Sequence, residues 1–301
     1  TYVTHLLARR SASGTVTNHR LDLGHLRDRL DPLRVDQVKI SDLRDYQCAL
    51  LTGEAAQRGK PLAASTVARI TTCWRAFFSF LFEEALLNDN PARRLERPQV
   101  PTSLPGDVLT VKEIKRLLGA ASQRTTPLAL RDRALVELLY ATGLRRQEAC
   151  DLDLSDLDRT ERQIRVRHGK GDKGRVVPLT RSAYHQVTHY VELGRPGLVT
   201  AHPDSQCSLF LSGWGQRIKT TGVWRALKGL AADAGLKKNV SPHTLRRTFA
   251  THLLKGGASI RHIQLLLGHA SLNVTAVYLR LDATDLRREV LLHHPRERFE
   301  V

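Results

Sequence analysis

A proline-rich segment in the first third of the chain constrains the fold more than any other feature. Residues 97–106 read Arg-Pro-Gln-Val-Pro-Thr-Ser-Leu-Pro-Gly, so three prolines and a glycine fall within ten positions. Proline lacks a backbone N–H and clashes with the preceding helical turn, so no helix continues through this segment. The segment predicts an interdomain linker at 97–108, between an N-terminal domain of residues 1–96 and a second domain of residues 109–284.

The N-terminal domain is predicted to be an all-helical bundle. A helix is expected from Ser65, its N-cap, to about Leu87, ahead of the helix-stopping sequence Asn-Asp-Asn-Pro at 88–91. Residues 21–30 and 40–51 also have helical spacing. The apolar residues of the first helix recur at intervals of three and four, which predicts one buried stripe: Val67, Ile70, Trp74, Phe77, Phe78, Leu81, Phe82 and Ala85.

The second domain is predicted to be mainly helical with a small β-hairpin, a mixed α+β arrangement. Thr110 and Glu113 have the spacing of a capping box, and residues 128–140 have helical periodicity. Residues 163–167 alternate polar and apolar as a half-buried strand does, and residues 176–179 are suited to the returning strand. The hairpin between them would have a basic, glycine-rich tip.

The net charge narrows the class of partner. The chain of 301 residues carries a formal charge of +17 and has a pI near 10.3, while its 41% hydrophobic content is that of a globular protein. Residues 1–100 contribute +4 and the remainder +13. An excess of this size predicts affinity for a polyanion and binding that weakens with salt.

Other features exclude several classes of protein. The cysteines at 48, 73, 150 and 207 are too dispersed for a zinc module or a disulfide scaffold. No apolar run reaches the roughly 18 residues of a membrane span, and no signal peptide is recognisable, so a cytoplasmic protein is expected. The hairpin tip lacks the GK[ST] ending of a nucleotide-binding P-loop, and no carboxylate cluster suited to Mg²⁺ is visible.

Residues 241–254, Ser-Pro-His-Thr-Leu-Arg-Arg-Thr-Phe-Ala-Thr-His-Leu-Leu, form the first motif that can carry chemistry. Ser241 and the following proline are typical of a helix start, which places His243 and Arg246 on one face of the first turns. Free amides and the helix dipole at such an end favour an anion. Taken alone, the pair fits an ordinary basic helix face equally well.

Four further positions stand out, each of them also compatible with a purely structural role. Arg145 opens a helix after Thr142-Gly143, where a cation opposes the helix dipole unless a carboxylate or anion answers it. Lys170 lies in the glycine-rich hairpin tip, and His269 follows a predicted helix end at Gly268. Tyr278 comes nine residues after His269, in an apolar segment.

The complete ordered set resembles the tyrosine recombinase (phage integrase-like) family, and most closely its Xer-type members. The motifs that carry this resemblance are ATGLRRQEA, HGKGDKGRVVPL, SPHTLRRTFATHLL and LLLGH, followed by a tyrosine nine residues on. The resemblance covers nearly the whole chain, because a helical DNA-clamping domain and a short linker are also typical of the family. It implies a site-specific DNA recombinase that cleaves and rejoins duplex DNA without metal, ATP or another cofactor.

The resemblance implies a role for each matching residue. Tyr278 would be the nucleophile that forms a 3′-phosphotyrosine, His243 its base, and Lys170 the acid that protonates the leaving 5′ oxygen. The charge of the five-coordinate phosphate would be stabilised by Arg145, Arg246 and His269. Glu148 matches an acidic residue that supports the first arginine. Arg247 departs from the family pattern, since many members have histidine there.

The resemblance also implies partners. Two basic domains would clamp a DNA duplex, and four protomers would assemble on two duplexes, with residues 285–301 contacting a neighbouring subunit and possible help from a second recombinase or an accessory factor. The residues expected to contact the DNA backbone are Lys60, Arg69, Arg75, Lys173, Arg225, Lys228, Lys237, Lys238 and Arg247. Each of them could instead be ordinary solvated surface.

Two alternatives to a recombinase stay open at the level of sequence. A type IB topoisomerase uses the same tyrosine, arginine, lysine and histidine chemistry, but relaxes supercoils without two sites or exchange between subunits. The helical N-terminal domain and the Xer-like spacing argue against it. A DNA-binding accessory protein with a vestigial site is the other alternative, and the presence of all six expected residues argues against that.

Overall fold

The computed structural model describes residues 2–9, 13–55, 59–100, 107–167, 174–268 and 283–297. The chain divides into two compact units, residues 1–104 and 105–301, with the boundary inside the proline-rich segment. No helix among the described residues is long and apolar enough to cross a membrane. The mainly helical fold with a small sheet in the second unit is confirmed.

The N-terminal unit is built of helices around one aromatic core. Trp74 and Phe78 are fully buried, and the ring of Trp74 stacks on that of Tyr46 with 5.3 Å between centroids. A buried face of this kind stabilises helices that would be marginal in isolation. The helices are α1 (Tyr2–Ala8), α2 (Ser13–Leu30), α3 (Ile40–Thr52) and α4 (Ala64–Glu83).

Two details predicted for α4 are wrong. The helix begins at Ala64 after an Ala63 cap that makes no side-chain hydrogen bond, so Ser65 lies inside the helix and is not its N-cap. At the other end, Ala85 is exposed and has a φ of +55°, in a turn where Leu86 N–H donates to the Leu81 carbonyl. The apolar spacing continues past Glu83, but the backbone leaves the helix there, so Ala85 does not join the buried stripe.

The second unit begins as the sequence predicts. Thr110 caps α5, where its hydroxyl accepts the Glu113 N–H while its own N–H donates to the Glu113 carboxylate. Residues 134–142 of α6 are all buried, and this helix packs against α5, α8 and α11. The helices that precede the sheet are α5 (Val111–Ser122), α6 (Pro127–Thr142) and α7 (Arg146–Asp151).

The sheet of the second unit has three antiparallel strands in the order β1-β2-β3. The predicted hairpin is formed by the second and third strands, with Ile164 opposite Val177 and Val166 opposite Arg175. The short first strand, which pairs Leu157 with Ile164, was not predicted. The strands are β1 (Leu157–Asp158), β2 (Gln163–Val166) and β3 (Arg175–Pro178).

The remaining helices complete the second unit. Ser241 caps α11 by accepting the Thr244 N–H, and Gly268 ends α12 in the left-handed conformation, both as predicted. The helices are α8 (Arg181–His189), α9 (Asp204–Cys207), α10 (Thr220–Asp233), α11 (Pro242–Lys255), α12 (Ile260–Leu267) and α13 (Ala283–His293).

The C-terminal residues pack on their own unit. His294 is fully buried, and its Nε2 lies 3.1 Å from the Tyr140 carbonyl oxygen. Burial lowers the pKa of His294 to about 3, so the imidazole is neutral and donates this hydrogen bond. Arg296 forms a buried ion pair with Glu137, with 2.8 Å between Nη2 and Oε1. Residues 294–296 are therefore part of the second unit rather than a separate tail.

Candidate active site

The site is built on the tight turn between α6 and α7. Gly143 ends α6 with a φ of +61°, a conformation that favours glycine. A Cβ atom at this position would lie 2.5 Å from Cδ1 of Phe249 on α11. The absence of a side chain thus lets the turn pack directly against α11, which brings Arg145 and Arg246 into one region of the unit.

Glu148 is the acidic centre of the site. Its carboxylate accepts hydrogen bonds from the backbone N–H and the Nη1 of Arg145, each at 2.7 Å. It also accepts from Nη1 and Nη2 of Arg175, at 2.9 and 2.8 Å. Burial alone would raise the pKa of Glu148, but the hydrogen bonds from Arg175 and Arg145 outweigh it and lower the pKa to about 2. The carboxylate that Arg145 needs at its helix start is therefore present and ionised.

Arg246 differs from its neighbours because its guanidinium binds carbonyl groups. Nη1 donates to the Gly143 carbonyl and Nη2 to the Leu267 carbonyl, each at 2.6 Å, and the residue is only 8% exposed. Burial and the nearby positive charge of Arg145 lower the pKa of Arg246 to about 10. The side chain is thus held rigidly and carries a charge that a bound anion would stabilise.

The C-terminal end of α12 gathers three arginines through consecutive carbonyl groups. Arg175 Nε donates to Leu266 at 2.8 Å, Arg246 Nη2 to Leu267 at 2.6 Å, and Arg145 Nη2 to Gly268 at 3.0 Å. The last carbonyls of a helix lack intrahelical partners and carry the negative end of the dipole, so cations bind there favourably. This arrangement fixes three cationic side chains in one place.

His243 lies one helical turn before Arg246, at the exposed start of α11. Partial desolvation of its ring and the positive charges of Arg246, Arg247, Arg146 and Arg145 lower the pKa of His243 below its usual value. The imidazole is therefore neutral at pH 7 and able to accept a proton.

Four of the predicted residues lie outside the described part of the chain. Lys170 and Lys173 belong to the hairpin tip at 168–173, and His269 and Tyr278 belong to residues 269–282. The described residues flank them closely: Arg175 follows the first segment, and Gly268 directly precedes the second. The arginine cluster thus lies next to the points where both segments join the described fold.

The residues predicted to contact DNA fall into two groups. Arg69 pairs with Asp22, where Nη2 lies 3.0 Å from Oδ1, and Lys238 Nζ lies 2.8 Å from Glu113 Oε2. These two are weaker candidates, because intramolecular pairing already accounts for them. Lys228 also binds within its own unit, donating to Asn239 at 2.6 Å. The side chains of the others among the described residues are exposed: Lys60, Arg75, Arg225, Lys237 and Arg247.

Arg175 is the member of the site that the sequence did not reveal. It was treated as part of the hairpin HGKGDKGRVVPL, yet its side chain is only 10% exposed and binds both oxygens of Glu148. A signal was present, because an arginine at the start of a short apolar strand requires a carboxylate if it is buried. Its partner could not be inferred, since Glu148 lies 27 residues away in the chain.

Comparison with known proteins identifies the class. The Phage integrase family matches residues 107–285, and the Phage integrase N-terminal SAM-like domain matches residues 1–85. The chain belongs to the phage integrase family, and it is a tyrosine-type site-specific recombinase.

Individual relatives place it near the Xer-type members of that family. The chain is 37% identical to tyrosine recombinase XerD of Mycobacterium tuberculosis, over 99% of this chain and 97% of the relative. It is also 37% identical to tyrosine recombinase XerC of Alcanivorax borkumensis, over 98% of this chain and 93% of the relative. The fold is shared with the Tn1549 transposon integrase in complex with circular intermediate DNA, at a TM-score of 0.68, 22% identity and coverage of 95% and 96%.

Proposed function

We propose that this recombinase cleaves one DNA strand by attack of Tyr278 on a backbone phosphate and holds the strand as a 3′-phosphotyrosine. Rejoining reverses the step: a 5′ hydroxyl attacks the phosphotyrosine, and the tyrosine leaves. One phosphoester bond forms as another breaks in each direction, so the reaction needs no ATP. The proposed biological role is either resolution of chromosome dimers or integration and excision of a mobile element, on cellular DNA in the cytoplasm.

The observation that carries this proposal is the state of Arg246. Its guanidinium is 8% exposed, and its two side-chain hydrogen bonds go to neutral carbonyls. Removing the charge of such a donor typically slows a reaction by about 10²–10³, because the transition state of phosphoryl transfer carries extra negative charge. Together with Arg145, Arg246 supplies two permanent cations for the non-bridging oxygens of the phosphate, and His269 is the proposed third donor.

Proton transfer is assigned to two further residues. The tyrosine hydroxyl has an ordinary pKa near ~10, so its proton must pass to a base during attack. His243 suits this role because its pKa is lowered and its ring is neutral at pH 7. Lys170 is the proposed acid that protonates the departing 5′ oxygen, with Lys173 the nearby competitor.

The DNA contacts and the assembly are proposals as well. The exposed cations Lys60, Arg75, Arg225, Lys237 and Arg247 are assigned to the DNA backbone. Four protomers on two duplexes, with subunit contact through residues 285–301, are expected for strand exchange. Since His294 and Arg296 are buried against their own unit, such contact would use the remaining surface of this segment or require its release.

A nicked substrate that traps the covalent product tests the proposal. Because the short 5′ fragment diffuses away after cleavage, wild-type enzyme should accumulate a protein–DNA adduct, whereas Tyr278→Phe should form none. Tyr184→Phe, which changes a tyrosine on α8, is the matched control and should behave as wild type. An adduct formed by Tyr278→Phe would show that the nucleophile is another residue. Relaxation of plasmids without a recombination site would instead favour the topoisomerase alternative.

A further inference from the structure

We propose that the ion pair between Arg167 and Asp153 holds the base of the β2–β3 hairpin and thereby positions Lys170 for proton transfer to the leaving 5′ oxygen. This inference rests on the proposed function, which makes Lys170 the acid. Arg167 and Asp153 are positioning residues, and the inference gives neither of them a contact with the reacting phosphate.

The contact geometry is concentrated on a single nitrogen atom. Arg167 directly follows β2, and its Nη2 donates to Asp153 Oδ2 at 2.5 Å and to the Asp151 carbonyl at 3.1 Å. The same nitrogen lies 2.9 Å from Oδ2 of Asp156. These acceptors all lie in residues 151–156, at or just after the end of α7, the helix that Arg145 caps. Arg167 therefore ties the start of the hairpin tip to the segment that follows the arginine site.

Asp153 is itself held from the other side. Its Oδ1 accepts from Arg217 Nη2 at 2.5 Å, and its backbone N–H donates to Asp156 Oδ2 at 2.8 Å. Nη1 of Arg217 donates to the carbonyls of Cys150 and Leu152, both at 3.1 Å. Burial raises the pKa of Asp153, but the hydrogen bonds from Arg217 and Arg167 outweigh it and lower the pKa below its usual range. The acceptor for Arg167 is thus an ionised and fixed carboxylate.

The other side of the hairpin is fixed in an equivalent way. Arg175, the first residue of β3, binds Glu148 on α7 and the Leu266 carbonyl. Both residues that bracket the tip are therefore bonded to α7 or the residues that follow it. Lys170 is three residues from Arg167, so its Cα lies within about 11 Å of the Arg167 Cα whatever the path of the chain.

Charge balance is the alternative explanation for the pair. Asp153 and Asp156 lie close together, and two cations offset their repulsion. Arg167 is 44% exposed, however, and a partly exposed ion pair of this kind adds little to stability. A purely structural role predicts a change in stability alone, whereas a positioning role predicts a defect confined to the step in which Lys170 acts.

Replacing the bridging 5′ oxygen of the cleaved phosphate by sulfur separates these explanations. A thiol has a pKa near ~8.5, so the thiolate departs without a proton from an acid. We expect Arg167→Gln and Asp153→Asn to slow single-turnover cleavage of the oxygen substrate by about 10- to 100-fold, as misplacement of a catalytic group does. On the sulfur substrate the rate should return to that of wild type.

Lys170→Ala is the reference variant, and it should show the same rescue by sulfur. Arg159→Gln is the matched control: Arg159 pairs with Glu192 near the same sheet, both side chains are about half exposed, and neither substrate should be cleaved more slowly. If Asp153→Asn fails to fold, Arg167→Gln decides alone, with its melting temperature checked against wild type.

Two results would overturn the inference while leaving the proposed function intact. One is unchanged cleavage by Arg167→Gln, and the other is an equal loss on both substrates, in each case with Lys170→Ala rescued by sulfur. If Lys170→Ala is not rescued, the assignment of Lys170 as the acid fails, and this inference fails with it.

Discussion

Glu148 and Arg175 form a two-point ion pair between α7 and β3, with Oε1 and Oε2 lying 2.9 and 2.8 Å from Nη1 and Nη2. The same carboxylate binds Arg145 through its backbone and its guanidinium. One buried acid therefore holds the first arginine of the site and the base of the hairpin at the same time, so both respond to a change at position 148.

Glu148→Gln is expected to lower the free energy of unfolding by roughly 3 kcal/mol at neutral pH, from the difference between the ordinary pKa and about 2. Because the folded-state pKa is depressed, this stability is present above pH 4.5 and is lost as the pH falls toward 2. Urea unfolding of both proteins at neutral and acidic pH measures the difference, with Glu192→Gln as an exposed control. Equal stability of Glu148→Gln and wild type at neutral pH would contradict this expectation.

Arg246→Lys is expected to reduce single-turnover cleavage by about 10²–10³, while DNA affinity stays near that of wild type. Lysine retains the positive charge, but it cannot donate to the Gly143 and Leu267 carbonyls in the fork geometry of arginine. Cleavage assays and gel-shift titrations separate the two effects. The adjacent Arg247→Lys, at an exposed position, should leave the cleavage step unchanged; a comparable defect there would remove the distinction between site and surface.

The cleavage rate is expected to be level above pH 6.5 and to fall at lower pH. The pKa of His243 is lowered by desolvation and by neighbouring arginines, so its imidazole is a neutral base at pH 7 and gains a proton only in acid. Single-turnover rates at saturating DNA, measured across this range, test the assignment. A rate that rises as the pH falls below 6.5 would exclude His243 as the base.

Arg296→Ala is expected to destabilise the second unit by about 3–5 kcal/mol, because it leaves the buried carboxylate of Glu137 without its partner. Replacing both residues by leucine should cost less than the sum of the two single changes, since no buried charge then remains. Chemical denaturation of the two single variants and the double variant measures this coupling. Arg181→Ala, at an exposed ion pair with Glu297, serves as the control. Additive effects at 137 and 296 would show that the pair is not coupled.

Cleavage is expected to proceed unchanged in EDTA. In the proposed mechanism, Arg145 and Arg246 stabilise the charge on the phosphate, and a divalent cation has no assigned step. The covalent adduct on the nicked substrate is the readout, measured with EDTA and with added Mg²⁺. Loss of the adduct in EDTA and its return with Mg²⁺ would show that the mechanism lacks a necessary component.

Local features of this protein were determined by the sequence itself. The Thr110 capping box, the Ser241 cap, the end of α12 at Gly268 and the pairing of β2 with β3 depend on hydrogen bonds within a few residues or on simple periodicity. The requirement for a carboxylate near Arg145 was also visible, because Glu148 is only one helical turn away. The apolar spacing failed only at the ends of α4, where backbone turns rather than periodicity decide.

The tertiary structure alone decided which groups meet across long stretches of chain. Arg145 binds the Gly268 carbonyl across 123 residues, Arg175 binds Leu266 across 91, and Arg296 binds Glu137 across 159. Such contacts leave no periodic trace in the sequence, because they depend on how α6, α7, α11 and α12 pack. Folding places three arginines on consecutive carbonyls, and that convergence turns separate basic residues into one anion-binding site.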